Sequence, residues 1–362
     1  MNVENINIYA GKTILVAPLD WGLGHVTRCV PIIKALLKVQ AHVIIAAENK
    51  AAFLFEQEFP ELAIIPLRGY RIRYSKSKFF FSGMILWQCP KIISTIRYEN
   101  KWLKKTIAEH KIDIVISDNR FGLYNKKLPC VFITHQLQIQ TGNKFFNLLV
   151  KKINYAFIEK FSECWIPDER QDGGAAGLLS HPAILPGIPT KYIGLLSRFK
   201  AGACDKKQDL LILLSGPEPQ RTILEKIMLQ QLKSSSLSAL VVRGLPGESM
   251  EKKIDDPKIQ MVSHLPARNL NNAILASEIV IARAGYSTIM DLLVLGKKAI
   301  LIPTPGQKEQ EYLAAYLKKK KWFYSCTQSE FELNEVVDNA FTAPVKFSRK
   351  ILPEGLNITS NR

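Results

Sequence analysis

The chain has 362 residues, long enough for two hydrophobic cores, and its 47% hydrophobic and 22% charged residues are ordinary for a globular protein. No apolar run is long enough to span a bilayer, and the N-terminus lacks a signal-peptide core, so we expect a cytoplasmic protein. The formal net charge of +17 indicates polyanionic partners: nucleic acid, an anionic membrane face or phosphorylated substrates.

The first half alternates short apolar segments rich in Val and Ile with stretches of helical spacing. This alternation predicts a parallel sheet wrapped by helices. The predicted strands are Thr13–Pro18, His42–Ala47, Leu62–Pro66, Ile112–Ser117, Cys130–Thr134 and Cys164–Pro167.

A polar segment without periodicity, residues 197–208, separates this half from a second series of strands and helices. The sequence therefore predicts an α/β protein with two doubly wound, Rossmann-like domains, residues 1–196 and 209–362, joined by a linker. We expect ligands in the cleft between the domains. The second series of strands is predicted at Leu210–Leu214, Leu240–Val242, Ile259–Val262, Ile279–Ala282 and Ala299–Ile302.

The six cysteines are scattered, with no C-x-x-C pair and no close Cys/His pairing. This pattern argues against a disulfide framework and against a structural zinc site. No carboxylates cluster in the manner of metal ligands, so we expect neither an essential metal nor a cofactor.

A glycine-containing turn follows the first strand, at Gly22-Leu23-Gly24-His25. The glycines let the backbone turn tightly and bring a helix N-terminus close to a ligand. Position 27 is Thr rather than Gly, which disfavours a dinucleotide site. His25 is a candidate general base, since imidazole titrates near neutrality; a helix-capping or ligand-orienting histidine is an equal alternative.

Polar side chains in the second half gather where strands end. Ser215-Gly216 forms one such turn, and its backbone N–H groups suit a phosphate. After the strand that ends at Ala282, Arg283 suits a diphosphate, and the hydroxyls of Ser287 and Thr288 suit the same group. Each residue alone would be read as a solvated polar group, but the repeated arrangement in one βαβα unit favours a nucleotide site.

These residues carry a resemblance. The second half resembles the nucleotide-sugar-binding domain of GT-B glycosyltransferases. It is most similar to the family-28 type, which includes the N-acetylglucosaminyltransferase that makes lipid II. That pattern has a Gly-containing Ser/Thr turn after a strand, an acid on the next helix, a strand ending in Pro, and an acid/Gln-Gln cluster. The matching residues are Arg283-Ala284-Gly285-Tyr286-Ser287-Thr288, Asp291, Gly296, Pro303 and Glu309-Gln310-Glu311.

The resemblance implies a role for each matching residue. Asp291 would bind the ribose, Ser287 and Thr288 the diphosphate, and Glu309 and Gln310 the donor sugar. The remaining donor-binding candidates are Ser215, Gly216, Arg243, His264, Leu265, Arg283 and Gly285, with His264-Leu265 lining the base.

In the first half, Gly22, Gly24 and His25 resemble the family's acceptor loop, whose histidine is a candidate base. Asp118 follows a predicted strand; it either orients His25, binds acceptor, or is a solvated or helix-capping acid.

Three positions depart from the family pattern in the second half. Asp291 stands where the family has Glu, Glu311 stands for the second Gln, and Ala314 stands for Asn. These differences fall where donor identity is read, so the sequence leaves the sugar open.

The function implied is an inverting, metal-independent transfer of a sugar from a nucleotide-sugar, with a UDP-sugar as co-substrate, to an acceptor hydroxyl. A lipid-linked or membrane-associated acceptor is one option. A UDP-sugar 2-epimerase of the same fold and a non-catalytic nucleotide-sugar-binding or membrane-associated protein are the alternatives. We expect no nucleic-acid partner, since no recognised binding motif is present.

The span from Arg68 to Lys105 is strongly basic and aromatic, with ten Lys or Arg and one acid, Glu99. Such a surface suits an anionic membrane face, which would make the protein peripheral on the inner face of the cell membrane. The alternative is that Phe79–Phe81 and Trp87 belong to the core and the cations to a solvated face.

Overall fold

The computed structural model describes residues 7–342 apart from 21, 71–80, 141–143, 246, 248–253 and 255, and it describes the side chains of neither 81–89 nor 144. Contacts divide the described chain into two compact units. Unit 1 runs to Ser197, and unit 2 begins at Arg198. Each unit is a parallel sheet with helices in its strand connections, so the predicted α/β fold with two doubly wound domains is confirmed.

The described part of unit 1 contains a seven-stranded sheet of order β3-β2-β1-β4-β5-β6-β7. Its strands are β1 (Thr13–Pro18), β2 (His42–Ala46), β3 (Ala63–Ile65), β4 (Ile114–Asp118), β5 (Cys130–Ile133), β6 (Glu163–Ile166) and β7 (Thr190–Tyr192). Its helices are α1 (Leu23–Lys38), α2 (Asn49–Glu58), α3 (Phe81–His110) and α4 (Lys144–Ile158).

The site in unit 1 is positioned by the point where the sheet changes direction. The chain builds β2 and β3 on one side of β1, then returns to place β4 on the other side. Pro18 of β1 is in register with Asp118 of β4, and Asp118 is in register with Ile133 of β5. Three adjacent strands therefore end together at a switch point, which is where doubly wound sheets bind ligands.

The described part of unit 2 contains a six-stranded sheet of order β10-β9-β8-β11-β12-β13, with its own switch point between β8 and β11. Its strands are β8 (Gln208–Leu213), β9 (Ala239–Val242), β10 (Ile259–Val262), β11 (Ser277–Ala282), β12 (Ala299–Leu301) and β13 (Tyr324–Ser325). Its helices are α5 (Gln220–Leu232), α6 (Ala267–Leu275), α7 (Tyr286–Val294), α8 (Lys308–Lys319) and α9 (Leu333–Thr342).

Each predicted strand corresponds to an observed one, with ends shifted by two residues or fewer. Two observed strands, β7 and β13, were not predicted. Both are short edge strands with few apolar residues, so they carry little hydrophobic pattern. Within the predicted linker, residues 201–207 are exposed and form neither helix nor strand, while Gln208 already belongs to β8.

The basic and aromatic span from Arg68 to Lys105 lies partly outside the described residues, including Phe79, Phe80 and the side chains of Phe81 and Trp87. Of the described aromatics, Tyr98 and Trp102 pack against the core of unit 1. Arg68 lies over the Tyr98 ring, 4.6 Å from its centroid. None of the helices in the described residues is long and apolar enough to cross a bilayer.

Candidate active site

The carboxyl edge of the unit 1 sheet brings together His25 and Asp118, which are 93 residues apart in sequence. His25 lies in the first turn of α1, directly after β1, and Asp118 is the last residue of β4. His25 Nδ1 is 3.1 Å from Asp118 Oδ1. Asp118 is fully buried, whereas His25 is partly exposed. This pairing fits the predicted role of Asp118 as the residue that orients His25.

Two further side chains complete this cluster. Arg28, one turn after His25 on α1, donates from Nε to Asp118 Oδ2 at 2.7 Å and from Nη2 to Asp118 Oδ1. Its Nη2 also lies 2.8 Å from His25 Nδ1, and its Nη1 lies 3.1 Å from His135 Nδ1. Arg28 and His135 are both buried. The site is therefore a four-residue cluster of one carboxylate, one guanidinium and two imidazoles.

Burial and charge set the protonation of this cluster. Burial by itself raises the pKa of Asp118, but the charge of Arg28 and the contacts with Arg28 and His25 outweigh it and hold that pKa well below its usual range. For His25, burial and the Arg28 charge lower the pKa, and Asp118 only partly opposes them. The cluster therefore holds an ionised carboxylate beside a neutral imidazole, which is the protonation state that a general base needs.

The glycines of the predicted acceptor loop lie at the start of α1. Gly22 precedes the helix as its N-cap and has φ 81°, a left-handed conformation that glycine adopts without strain. A Cβ added at Gly22 would meet nothing within 4 Å, so its backbone borders open space. Gly24 lies within the first turn, beside His25.

In unit 2, the loops that follow β8 and β12 meet. Gly216 has φ 100°, and a Cβ at this position would lie 3.6 Å from Thr304 Oγ1. The Thr304 N–H donates to Gln310 Oε1 at 2.8 Å, which ties the first turn of α8 to the end of β12. Ser215 and Gly216 are exposed, whereas Gln310 is half-buried and also donates to Gln307 Oε1. These residues form one group of predicted donor-binding residues.

Helix α7 carries a second group of predicted donor-binding residues. It begins after Gly285 with no side-chain cap, and its first turn carries Ser287 and Thr288, both half-buried. Asp291 follows one turn later and is half-buried as well. A Cβ at Gly285 would meet nothing within 4 Å, so the backbone at this residue borders open space. A helix N-terminus with adjacent hydroxyls suits an anionic group.

Arg283 lies in the interior of unit 2. It was expected to reach a diphosphate, but it is 1% exposed. Its guanidinium donates to the carbonyls of Pro303 at 3.2 Å and Gln220 at 2.8 Å, and to Gln328 Oε1 at 2.7 Å. Burial lowers the pKa of Arg283 to about 10. Its donors link Gln220, Pro303 and Gln328, which suits a scaffold residue, and the diphosphate role stays a prediction.

The other predicted donor residues have differing surroundings. Arg243 is partly buried and donates from Nε to Glu225 Oε2 at 3.0 Å, so this contact fixes one side of its guanidinium. His264 and Leu265 follow β10 and are half-buried. Burial and the nearby charge of Arg198 lower the pKa of His264. Glu309 lies half-buried in the first turn of α8.

Sequence reasoning missed Arg28, His135 and Thr304. Arg28 carried a usable signal: it is a cation on the His25 face of a helix whose neighbours Val26, Cys29 and Val30 are apolar and buried. The Thr304 hydroxyl is buried with no hydrogen-bond partner in the described chain, which the sequence could not indicate. Within the described ranges, no three His, Cys, Asp or Glu side chains are grouped so that they could hold a metal ion.

Comparisons with known proteins agree with this architecture. Residues 221–350 match the family model of the glycosyltransferase family 28 C-terminal domain. A curated protein of Methanosarcina acetivorans, described as an uncharacterized glycosyltransferase, is 24% identical over 323 residues, covering 83% of this chain and 81% of that protein.

Solved structures show the same fold at low identity. UGT89C1 of Arabidopsis thaliana, complexed with UDP-L-rhamnose, aligns with a TM-score of 0.62 at 11% identity, covering 92% of this chain and 90% of that one. MurG of Acinetobacter baumannii aligns with a TM-score of 0.52 at 15% identity, covering 94% and 92%.

Proposed function

We propose that this chain, a glycosyltransferase with the GT-B fold whose second unit carries the family-28 C-terminal domain, transfers a sugar from a nucleotide-sugar to an acceptor hydroxyl with inversion. His25 is the general base in this proposal. The observation that carries it is the contact of 3.1 Å between His25 Nδ1 and the buried carboxylate of Asp118. This contact supports an imidazole that is oriented by Nδ1 and takes a proton at Nε2.

The reaction then follows from these groups. As the acceptor oxygen attacks the anomeric carbon, its proton passes to His25 Nε2. The bond between the anomeric carbon and the diphosphate oxygen breaks with its electron pair, and the nucleoside diphosphate leaves. Attack from the face opposite the leaving group inverts the anomeric centre. Asp118 stabilises the imidazolium that forms, because its carboxylate is kept ionised by its surroundings.

Donor binding is assigned to unit 2. The start of α7 and the hydroxyls of Ser287 and Thr288 are suited to the diphosphate. Asp291 is assigned to the ribose hydroxyls, and Glu309 with Gln310 to the sugar. A UDP-sugar is the proposed donor, supported by the fold that this chain shares with UGT89C1 in its complex with UDP-L-rhamnose.

The test uses a panel of radiolabelled UDP-sugars and TDP-sugars, with a lipid extract of the source cells as the acceptor pool. We expect one or a few donors to release nucleoside diphosphate only when the extract is present, with the label passing into an extractable product. His25→Asn should lower this transfer by about 10²–10⁴-fold. His110→Asn, at an exposed histidine in the last turn of α3, is the matched control and should transfer normally.

The panel also separates the alternatives. Exchange of the C2 hydrogen without an acceptor would replace the transferase with a 2-epimerase. Binding of the donor without release of nucleoside diphosphate and without exchange of the C2 hydrogen would indicate a non-catalytic nucleotide-sugar-binding protein. Transfer by the His25→Asn variant at the wild-type rate would remove the base assignment.

We also propose that the protein docks on an anionic membrane through the start of α4. Large apolar side chains on this helix are exposed, while its end is anchored by Ile158, which is fully buried, and by Asn154, which donates to the Gln136 carbonyl. The exposed residues and their exposed fractions are Phe145 (76%), Phe146 (47%), Leu148 (60%), Leu149 (47%) and Ile153 (50%).

The positive charge near this exposed apolar surface favours an anionic membrane as its partner. Lys151 and Lys152 lie on the same helix, and the whole chain has a formal net charge of +17. An apolar helix face with adjacent lysines fits the interface of a bilayer that contains anionic lipids. This docking would bring the enzyme to a lipid-linked acceptor at the inner face of the cell membrane. The span from Arg68 to Lys105 stays a predicted second contact.

Flotation with vesicles tests this surface. The protein should float with phosphatidylglycerol vesicles at low salt and remain unbound with phosphatidylcholine alone. The double variant Phe145→Ser and Leu148→Ser should lose binding. Phe53→Ser, at a half-exposed phenylalanine on α2, is the control and should float normally. Wild-type protein that fails to float at low salt, or a double variant that floats as well as wild type, would contradict the proposal.

A further inference from the structure

We propose that Arg28 is a positioning residue that keeps His25 a neutral imidazole by taking up the charge of Asp118. This inference rests on the proposed role of His25 as the base. It concerns a residue that the sequence motifs did not mark. The evidence for it lies in how the donors of Arg28 are distributed over the cluster.

Arg28 takes both carboxylate oxygens of Asp118. Its Nε donates to Oδ2 at 2.7 Å, and its Nη2 donates to Oδ1. This two-point geometry is the strongest that a guanidinium and a carboxylate form. Both groups are buried, so solvent screens the pair little. The negative charge that would otherwise stabilise a charged His25 is already matched by Arg28.

The same guanidinium also faces His25 directly. Its Nη2 lies 2.8 Å from His25 Nδ1, closer than the 3.1 Å between that nitrogen and Asp118 Oδ1. The tautomer that can take a proton at Nε2 carries its hydrogen on Nδ1 and donates it to Asp118 Oδ1, so the Arg28 cation lies beside a neutral ring. An imidazolium has N–H groups at both nitrogens and would meet the Arg28 cation at the same distance. Protonation of His25 is therefore opposed by an adjacent positive charge.

The groups that act on His25 come from three elements. Arg28 lies on its own helix, Asp118 ends β4, and His135 follows β5. Cys29, also on α1, lies 3.7 Å from Asp118 Oδ2, and burial raises the pKa of its thiol well above the usual value. Of these groups, only Asp118 favours the imidazolium, and Arg28 matches its charge. Removing Arg28 should therefore make the imidazolium, rather than the neutral imidazole, the favoured form of His25.

Arg28→Met makes the inference testable. In this variant His25 becomes the nearest cation available to the buried Asp118 carboxylate, so it should be protonated at neutral pH. In the wild type, the midpoint of the acid limb in the pH profile of kcat/KM should lie below the ordinary imidazole pKa of about 6.5. In the variant, this midpoint should move up by about one pH unit or more. For a shift of one unit, transfer should fall about threefold to fivefold at pH 6.5, and more for a larger shift, and it should recover at pH 9. Arg28→Lys, which keeps the charge, should hold the limb near its wild-type position.

Arg120→Met is the matched control for lost stability. Arg120 is a buried arginine two residues after Asp118, and it pairs with buried Glu99 at 3.0 Å. Its loss should destabilise unit 1 without moving the acid limb. If Arg28 were only structural, Arg28→Met would likewise lower transfer by one factor at every pH, and that outcome would overturn the proposal.

An NMR titration of His25 separates this inference from the proposed function, because it needs no substrate. The His25 resonance, assigned by its loss in His25→Asn, should titrate below about 6.5 in the wild type and above it in Arg28→Met. A His25 pKa at or above about 6.5 in the wild type, or a His25 pKa that Arg28→Met leaves unchanged, would overturn the inference. A shifted value together with normal transfer by His25→Asn would retain the inference and reject only the base assignment.

Stability provides a second readout without activity. The wild-type folded state binds fewer protons at His25 than the unfolded chain does, so its stability falls as pH drops below about 6.5. In Arg28→Met the folded pKa is raised above the unfolded value. Protonation of His25 then stabilises the folded variant; this stabilisation is complete below about pH 6.5 and is lost as pH rises through the folded pKa of His25. The difference in unfolding free energy between the two proteins should therefore widen from pH 6 to pH 9, and a constant difference would contradict the proposal.

Discussion

The two units use the same edge of a parallel sheet in different ways. At the carboxyl edge of unit 1, Asp118 and Arg28 form a buried ion pair next to His25. At that edge of unit 2, the candidate ligand-binding groups are half-exposed hydroxyls, an amide and backbone around Ser287 and Gln310. The buried arginine there, Arg283, donates to the backbone carbonyls of Pro303 and Gln220 and to the side-chain amide oxygen of Gln328.

This difference matches two kinds of chemistry. A proton acceptor needs a controlled charge, and a buried site strengthens the electrostatic interactions that control it. A group that binds a diphosphate and a sugar needs accessible donors and acceptors that keep their geometry. Unit 1 therefore has the features of a site for proton transfer, and unit 2 has those of a site for donor binding.

The largest effect is expected from a substitution of His25, which should reduce catalysis and leave donor binding unchanged. His25→Asn should lower kcat/KM for transfer by about 10²–10⁴-fold, because it removes general base catalysis. The affinity for the nucleoside diphosphate, measured by calorimetry, should stay unchanged because His25 belongs to unit 1. A variant that lost affinity for the nucleotide to the same degree as activity would break the division between the units.

Arg283→Met tests whether the buried arginine of unit 2 is a scaffold residue. Its removal leaves the carbonyls of Gln220 and Pro303 without these donors, which should lower the free energy of unfolding by about 2 kcal/mol or more in urea titrations. Nucleotide affinity of the folded fraction should change little. Arg268→Met, at an exposed position on α6, should leave stability unaltered. Normal stability with a large loss of affinity would restore the diphosphate role.

The contrast between the units also explains what the sequence could predict. Strands such as β1 and β11 were predictable because their apolar runs are continuous and bounded by turns. The turns that follow strands were predictable as ligand sites because carboxyl ends of parallel strands converge. Both arguments need only local pattern and topology.

Side-chain direction was not predictable from the same pattern. Arg283 follows a strand as a phosphate-binding residue would, yet it points into the interior, toward loops 20 to 63 residues away in sequence. Arg28 and Asp118 are 90 residues apart, and only the pairing of β1 with β4 brings them together. Long-range contacts of this kind have no local signature in one sequence.

A smaller effect is expected at the ribose position. Asp291→Asn keeps the shape of the side chain but removes its charge, so it should weaken nucleotide binding by about tenfold, the value of one hydrogen bond to a charged group. The turnover number should change little at saturating donor, since this contact is made before and during reaction. Equal affinity for a nucleotide and its 2′,3′-dideoxy analogue in the wild type would contradict the assignment.

The most direct test of the account compares two titrations of the wild-type protein. One is the pH dependence of kcat/KM for transfer, and the other is the NMR titration of His25 in the free enzyme. Because burial and Arg28 lower the pKa of His25, activity should be lost only as pH falls below about 6.5, and the two midpoints should coincide. A profile with no acid limb, or a limb that departs from the His25 midpoint by about one pH unit or more, would show that the proton is accepted elsewhere.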